Sequence, residues 1–171
     1  MTKPNSSEYP TFFRSFIELA GEGDFFALLD ANMRETIAFY QSIEPTKLNH
    51  RYAADKWTIK ETLMHCIDTE RAFAYRALVC GRCDANTILY GMDEKHYAAQ
   101  FDVTDKMIDS LLQEFQIVRS NTKVLFENLN ETQTTFMGNA RNYQISARAL
   151  GYLMIGHFVH HNTIVKERYL I

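Results

Sequence analysis

The segment that decides the fold is LGYLMIGHFVHHNTIV, residues 150–165. Its apolar side chains recur every three to four residues, which is the period of an amphipathic helix. His157 and His161 fall inside the apolar stripe, four residues apart, on the side expected to face the interior. His160 is rotated by roughly 100° from His161 and is expected to flank the stripe. The segment therefore predicts a buried helix with two histidines on its inner face.

Four segments share this helical period and are predicted to be long helices: residues 24–42, 58–79, 104–129 and 145–168. A short leading helix is expected at residues 10–19, and no convincing alternating pair of strands occurs. Thr58 and Glu61 form a capping box that marks the start of the second long helix. Gly81 is expected to close that helix in the left-handed conformation. The sequence thus predicts an all-α protein, a four-helix bundle.

Composition limits the class of protein. The length of 171 residues suits one domain, so residues 1–171 are expected to form a single bundle, with residues 1–10 loosely held. A hydrophobic share of 46% argues against disorder, and a net charge of -3 disfavours a nucleic-acid partner. No apolar run is long enough to span a bilayer. Three cysteines and no apolar leader favour a cytoplasmic location.

Two histidines buried side by side are costly unless something satisfies their ring nitrogens. Hydrogen bonds within the core are one explanation. A shared metal ion is the other, and it requires a third ligand. His65, in the middle of the second predicted helix, is the best candidate, although it lies to one side of the apolar stripe of that helix. His50 and His96 are expected in solvated loops.

Other metal motifs fit poorly. Phe158 stands where the HExxH motif needs its general-base glutamate, so a metalloprotease is not expected. The Glu-x-x-His spacing of di-iron bundles does not occur in the sequence. Cys80 and Cys83 form a lone CxxC without a second ligand pair, which makes a redox or metal role the less favoured interpretation. Cys66 is expected to be a small core residue.

Several motifs resemble the DinB/YfiT-like superfamily. Three of them follow one another along the second predicted helix: KWTIKE at 56–61, HCIDTER at 65–71 and YRAL at 75–78. GHFVHH at 156–161 resembles the closing GHxxHH element of that superfamily. YGMD at 90–93 stands where many relatives have a Pro-Gly-Phe-Asp turn. The resemblance covers most of the chain from about residue 21 onward.

The resemblance implies a specific fold and site. The fold is a four-helix bundle with up-down-down-up connectivity and a long crossover between the second and third helices. The site is one divalent metal, usually zinc or nickel, held by histidines that correspond to His65, His157 and His161. A homodimer is also implied, and an enzyme that acts on a small molecule, as a hydrolase or as an S-transferase that uses a low-molecular-weight thiol. A non-catalytic, stress-related metal-binding scaffold is the alternative, and the change at Tyr90 leaves the crossover loop and the substrate open.

Three neutral imidazoles do not reduce the charge of a divalent ion, so such a site with an open fourth position is of the catalytic type. It would acidify a bound water or thiol. Glu70 and Asp68 are candidates to support the ligands. Glu70 lies on the apolar stripe of its helix and needs a partner, either a ligand imidazole or a buried arginine such as Arg168. Arg76 is a candidate clamp for a substrate anion, and Trp57 is expected to act as a hydrophobic staple or core plug.

Overall fold

A computed structural model describes residues 1–140 and 142–170 of the protein. Over these residues the chain forms seven α-helices: α1 (Arg14–Leu19), α2 (Phe25–Gln41), α3 (Ile59–Gly81), α4 (Glu94–Gln100), α5 (Ile108–Glu127), α6 (Glu131–Thr135) and α7 (Ala147–Ile164). It also forms two short antiparallel strands, β1 (Met137–Asn139) and β2 (Gln144–Ser146), and a π-helical turn at Val165–Tyr169.

The four long helices α2, α3, α5 and α7 form the bundle. α7 packs against α2 and α3, and α5 packs against the same two helices from the other side. The consecutive helices α2 and α3 therefore lie at opposite corners of the bundle. The short α4 lies in the long crossover between α3 and α5 and packs on α3. None of the described helices is long and apolar enough to cross a membrane.

The ends of α3 are set by two different signals. Its start is the predicted capping box: the Thr58 hydroxyl accepts a bond from the Glu61 backbone N–H at 3.1 Å, and the Glu61 carboxylate accepts one from the Thr58 N–H at 2.6 Å. The prediction for Gly81 was wrong, because α3 includes Gly81 and the left-handed residue is Cys83, with φ of 54°. A Cβ at Gly81 would lie 2.7 Å from Leu129. Close packing, and not backbone freedom, therefore explains this glycine.

The prediction that the chain has no strand pair was also wrong. β1 and β2 pair antiparallel with Gly138 opposite Ile145, at the place where the fourth helix was expected to begin. Ser146 then caps α7 by accepting a hydrogen bond from the Ala149 N–H at 3.0 Å. Strands of three residues are too short to display an alternating pattern.

The N-terminal segment, which we expected to be loosely held, makes buried contacts with the start of α7. The Glu8 carboxylate accepts a hydrogen bond from Ser146 at 2.8 Å and one from Nε of Arg148 at 3.0 Å. Both side chains of the ion pair are 9% exposed. The Tyr152 hydroxyl also donates to the Met1 carbonyl at 3.4 Å. A charged pair at the head of α7 thus holds the first residues against the bundle.

The short helix α1 crosses α7 at Gly156. A Cβ on this residue would lie 1.8 Å from the carbonyl oxygen of Phe16, so only glycine allows the two backbones to approach this closely. The Phe16 ring lies 6.0 Å from the imidazole of His157, measured between ring centroids. The crossing therefore places α1 beside the histidine segment.

The substitution Gly156→Ala is expected to lower the free energy of unfolding by about 1–3 kcal/mol, because the new methyl group displaces α1. Urea denaturation followed by circular dichroism measures this loss. Gly91→Ala is the control, since a Cβ at Gly91 would meet no atom within 4 Å. Equal stability of the two variants would show that the crossing does not require glycine.

Arg119 of α5 contacts all three other long helices. Its guanidinium donates to the Glu70 carboxylate of α3 at 2.9–3.0 Å and to Oδ1 of Asn32 of α2 at 2.9 Å. The same group lies 5.0 Å from the centre of the Phe158 ring of α7. The prediction that Glu70 pairs with a buried arginine is confirmed, but the arginine is Arg119. The named candidate, Arg168, and the alternative of a ligand imidazole were wrong. Arg168 is exposed on the π-helical turn, where the chain leaves the regular geometry of α7.

The variant Arg119→Met is expected to lose about 3–5 kcal/mol of unfolding free energy, because the Glu70 carboxylate stays buried without its partner. The double variant Glu70→Leu with Arg119→Met removes both charges and should recover part of the loss. Lys123→Met on the same helix is the matched control, since its pair with Asp30 is about one-third exposed and screened by solvent, so its loss should cost much less. Urea denaturation of all four proteins gives the comparison. Similar losses in the two single variants would contradict a central role for Arg119.

Candidate metal centre

Three histidines from two neighbouring helices meet at one point. Nε2 of His65, on α3, lies 3.2 Å from Nε2 of His157, on α7. Nε2 of His161 lies 3.1 Å from the same His157 atom. One ring nitrogen from each of the three residues lies within 4.8 Å of the other two. The structure thus brings together the three histidines that the sequence singled out, and leaves their metal binding as a prediction.

Each helix orients its own histidines. His157 and His161 are four residues apart and share one face of α7. His65 is 3% exposed and lies in the second turn of α3, seven residues after the cap Thr58. The indole of Trp57 packs on the His65 imidazole, with ring centroids 4.5 Å apart and planes inclined by 36°. Trp57 thus borders the cluster. The sequence suggested a staple or core plug and did not reveal this role.

The ring nitrogens suit a cation better than a hydrogen-bond network. An imidazole nitrogen carries either one proton or one lone pair, so Nε2 of His157 cannot serve two hydrogen bonds at once. Burial lowers the pKa of His65 to about 4 and that of His161 to about 3. Burial and the neighbouring imidazoles also lower the pKa of His157 well below its ordinary value. All three rings are therefore neutral at pH 7, as metal ligands must be.

The spacing of the nitrogens agrees with this chemistry. Zinc binds histidine nitrogens at about 2.0–2.1 Å in a tetrahedral arrangement, which separates two ligand nitrogens by about 3.3 Å. Two of the three separations, 3.1 and 3.2 Å between Nε2 atoms, are close to this value, and the third lies within 4.8 Å. The residues present therefore fit a divalent ion.

The candidate supporting residues do not bond the histidines. Glu70 is bound to Arg119, and Asp68 accepts a hydrogen bond from Arg71 at 3.1 Å. Arg76 lies eleven residues after His65 along α3, which corresponds to about 16 Å of helix. The alternative in which Glu70 bonds a ligand imidazole was wrong, and a supporting role for Asp68 stays a prediction. Both carboxylates are nearer to an arginine of their own surroundings than to the imidazoles.

The other histidines and cysteines lie outside the cluster. His160 contacts the Phe16 ring at 5.2 Å between centroids, on the flank of the stripe as expected. His50 is exposed in a loop, whereas His96 is exposed but belongs to α4 instead of a loop. Among the described residues, the cluster of His65, His157 and His161 is the one group with three or more potential metal ligands. The cysteines are free, with Cys66 and Cys80 buried and Cys83 exposed.

A cleft of about 950 Å³ lies at the surface beside His161. His161 forms part of its wall, next to Trp57 and Tyr169. The crossover contributes Lys95 and Phe101 to the lining. Charged groups of both signs surround the cleft: Arg51, Lys56, Lys95, Asp55, Glu61 and Asp102. The cleft therefore gives access from solvent to His161, one of the three histidines.

The fold and the cluster together define a helical-bundle protein that carries three histidines on two adjacent helices. The sequence model of the DinB superfamily matches residues 28–165. The chain belongs to the DinB superfamily, as the motifs of α3 and α7 indicated.

One solved structure extends the comparison to the fold. The chain is similar to YfiT from Bacillus subtilis, with a TM-score of 0.74 and 16% sequence identity, over 96% of this chain and 90% of YfiT. YfiT is described as a probable metal-dependent hydrolase with an unusual four-helix bundle topology. At this identity the likeness shows a shared fold, and it confirms the predicted four-helix bundle. A comparison with curated proteins finds no match.

Proposed function

We propose that this protein holds one divalent metal ion through His65, His157 and His161 and acts as a metal-dependent enzyme on a small molecule. The observation that carries the proposal is the convergence of three neutral imidazole nitrogens beside a cleft that opens to solvent. Within the described part of the chain, no fourth histidine, cysteine or carboxylate joins the cluster. A site with three protein ligands and access from solvent is typical of catalytic metal centres.

The ion, which we propose to be zinc or nickel, would supply a Lewis acid that lowers the pKa of a bound water or thiol. The three imidazoles hold the ion and leave its charge undiminished, since none of them is negative. Trp57 keeps the His65 ring in place by packing on its face. Glu61 lines the cleft but is not free to act as a base, because its carboxylate is bound to the Thr58 N–H and to Arg51.

Two reaction classes use this chemistry. Hydrolysis of an ester or amide requires an activated water, and transfer of a low-molecular-weight thiol requires an activated thiol. The mixed charges of the cleft suit a polar small molecule in either case. We propose these two classes for the enzyme, and a homodimer as its assembly, which light scattering of the purified chain would test.

The alternative is a non-catalytic scaffold in which the metal stabilises the bundle. One observation favours it: the three histidines join α3 to α7, so a bound ion would link two of the four long helices. Ligands that bind only the folded state raise its stability. Enzyme and scaffold therefore predict the same metal content and differ in turnover.

The variant His157→Ala is expected to lose most of its bound metal, because His157 lies between the other two ligands. His160→Ala is the matched control and should keep the stoichiometry of the parent, about one ion per chain. Elemental analysis of protein purified without a histidine tag gives both values. Equal metal loss in the two variants would mean that the ligand set is different.

The metal-loaded protein is expected to turn over a substrate in a screen of thiol conjugation and of ester and amide hydrolysis. A chelator should abolish this turnover, and added zinc or nickel should restore it, because the reaction depends on the ion. The parent protein and His157→Ala are compared in the same screen. Metal binding that raises the Tm while no reaction responds to the chelator would favour the scaffold.

A further inference from the structure

Arg76 of α3 is a buried cation without an acidic partner. Its side chain belongs to a residue that is 7% exposed, as buried as Arg148. The other two buried arginines, Arg119 and Arg148, each bond a buried glutamate. Among the described residues, Arg76 has no carboxylate within ion-pair distance, and its guanidinium donates one hydrogen bond, from Nη2 to the Tyr90 carbonyl at 2.6 Å. This charge is therefore compensated less than the other two.

The remaining N–H groups of Arg76 have access to open space. Within the described chain, three residues have a buried side-chain polar atom that lacks a hydrogen-bond partner: Tyr40, Thr69 and Asn162. Arg76 is not one of them, so its unbonded N–H groups are not sealed off from solvent. The open space beside Arg76 is a pocket of about 330 Å³. Burial lowers the pKa of Arg76 because it disfavours the charged form. A bound anion would offset this penalty.

The walls of the pocket suit an organic anion. The crossover segment contributes Tyr90, Met92 and Tyr97, which supply aromatic and thioether surface. α3 contributes Arg71 and Asp68. Arg71 is not a second free cation, because it already bonds two carboxylates, those of Asp68 and Glu114. The pocket therefore offers, next to apolar surface, one positive charge that has no carboxylate partner among the described residues.

We infer that Arg76 binds the carboxylate of a small aryl or alkyl carboxylic acid in this pocket. A guanidinium presents parallel N–H groups that match the two oxygens of a carboxylate. A phosphate dianion fits less well, since it would lie near the Asp68 carboxylate with a single uncompensated cation to balance it. This inference goes beyond the proposed function and does not require a metal at the histidine cluster.

Calorimetric titration of the full chain with benzoate tests the inference, at constant ionic strength and after treatment with a chelator. Benzoate should bind, whereas benzamide, its neutral analogue, should bind at least tenfold more weakly. Inorganic phosphate should also bind at least tenfold more weakly than benzoate. The same ranking is expected for His157→Ala, so failure of the metal proposal would not affect this result.

The variant Arg76→Met should weaken benzoate binding by about tenfold or more, the effect of losing a charge-assisted hydrogen bond. Arg82→Met is the control, since Arg82 is an exposed residue that follows α3 and lies outside the pocket. Arg76→Lys keeps the positive charge and loses the paired donors, so it should fold and still bind more weakly. Circular dichroism verifies the fold of each variant.

Three results would overturn the inference. One is the absence of benzoate binding to the parent protein. Another is equal affinity of benzoate for the parent, Arg76→Lys and Arg82→Met. The third is phosphate binding as tight as benzoate binding, which would indicate a different class of anion.

Discussion

The buried guanidinium of Arg119 sets the relative positions of the four long helices. It bonds Glu70 on α3 and Asn32 on α2, and it lies over the Phe158 ring on α7. A charge removed from water is tolerated only where its partners are in place, so the helices pack where these groups meet. Phe158 directly follows His157 in α7. The contact that aligns the bundle therefore also aligns the helix that carries two of the three histidines.

The residues around the cluster cover some of its sides and leave one side open to solvent. α1 crosses α7 at Gly156 and brings Phe16 near His157, while Trp57 packs on His65. His161 is the member that reaches the wall of the large cleft. Because burial keeps the imidazoles neutral, their lone pairs are available to an ion without a competing proton. The structure thus combines a cluster of neutral histidines with access to His161 from one side.

The sequence predicted those features of the fold and site that depend on residues close together in the chain. Helical periodicity and the capping box of α3 are such local signals, and the i, i+4 pair on α7 needed only His65 from a neighbouring helix. The burial of Arg119 also has a local signal, since this residue lies four residues after Phe115 on the apolar stripe of α5. Its partner could not be read from spacing, because Glu70 and Arg119 are 49 residues apart. The β1–β2 hairpin was too short to show a pattern.

The crossover and the histidine cluster belong to different parts of the fold. The three histidines belong to α3 and α7, which the core holds rigidly, whereas the crossover supplies Lys95 to the cleft and Tyr97 to the pocket of Arg76. Arg76 bonds the backbone carbonyl of Tyr90, so this contact does not depend on which side chain stands at position 90. Changes in the crossover can therefore reshape both cavities while the cluster stays intact. The departure from the Pro-Gly-Phe-Asp turn falls in this segment, away from the three histidines.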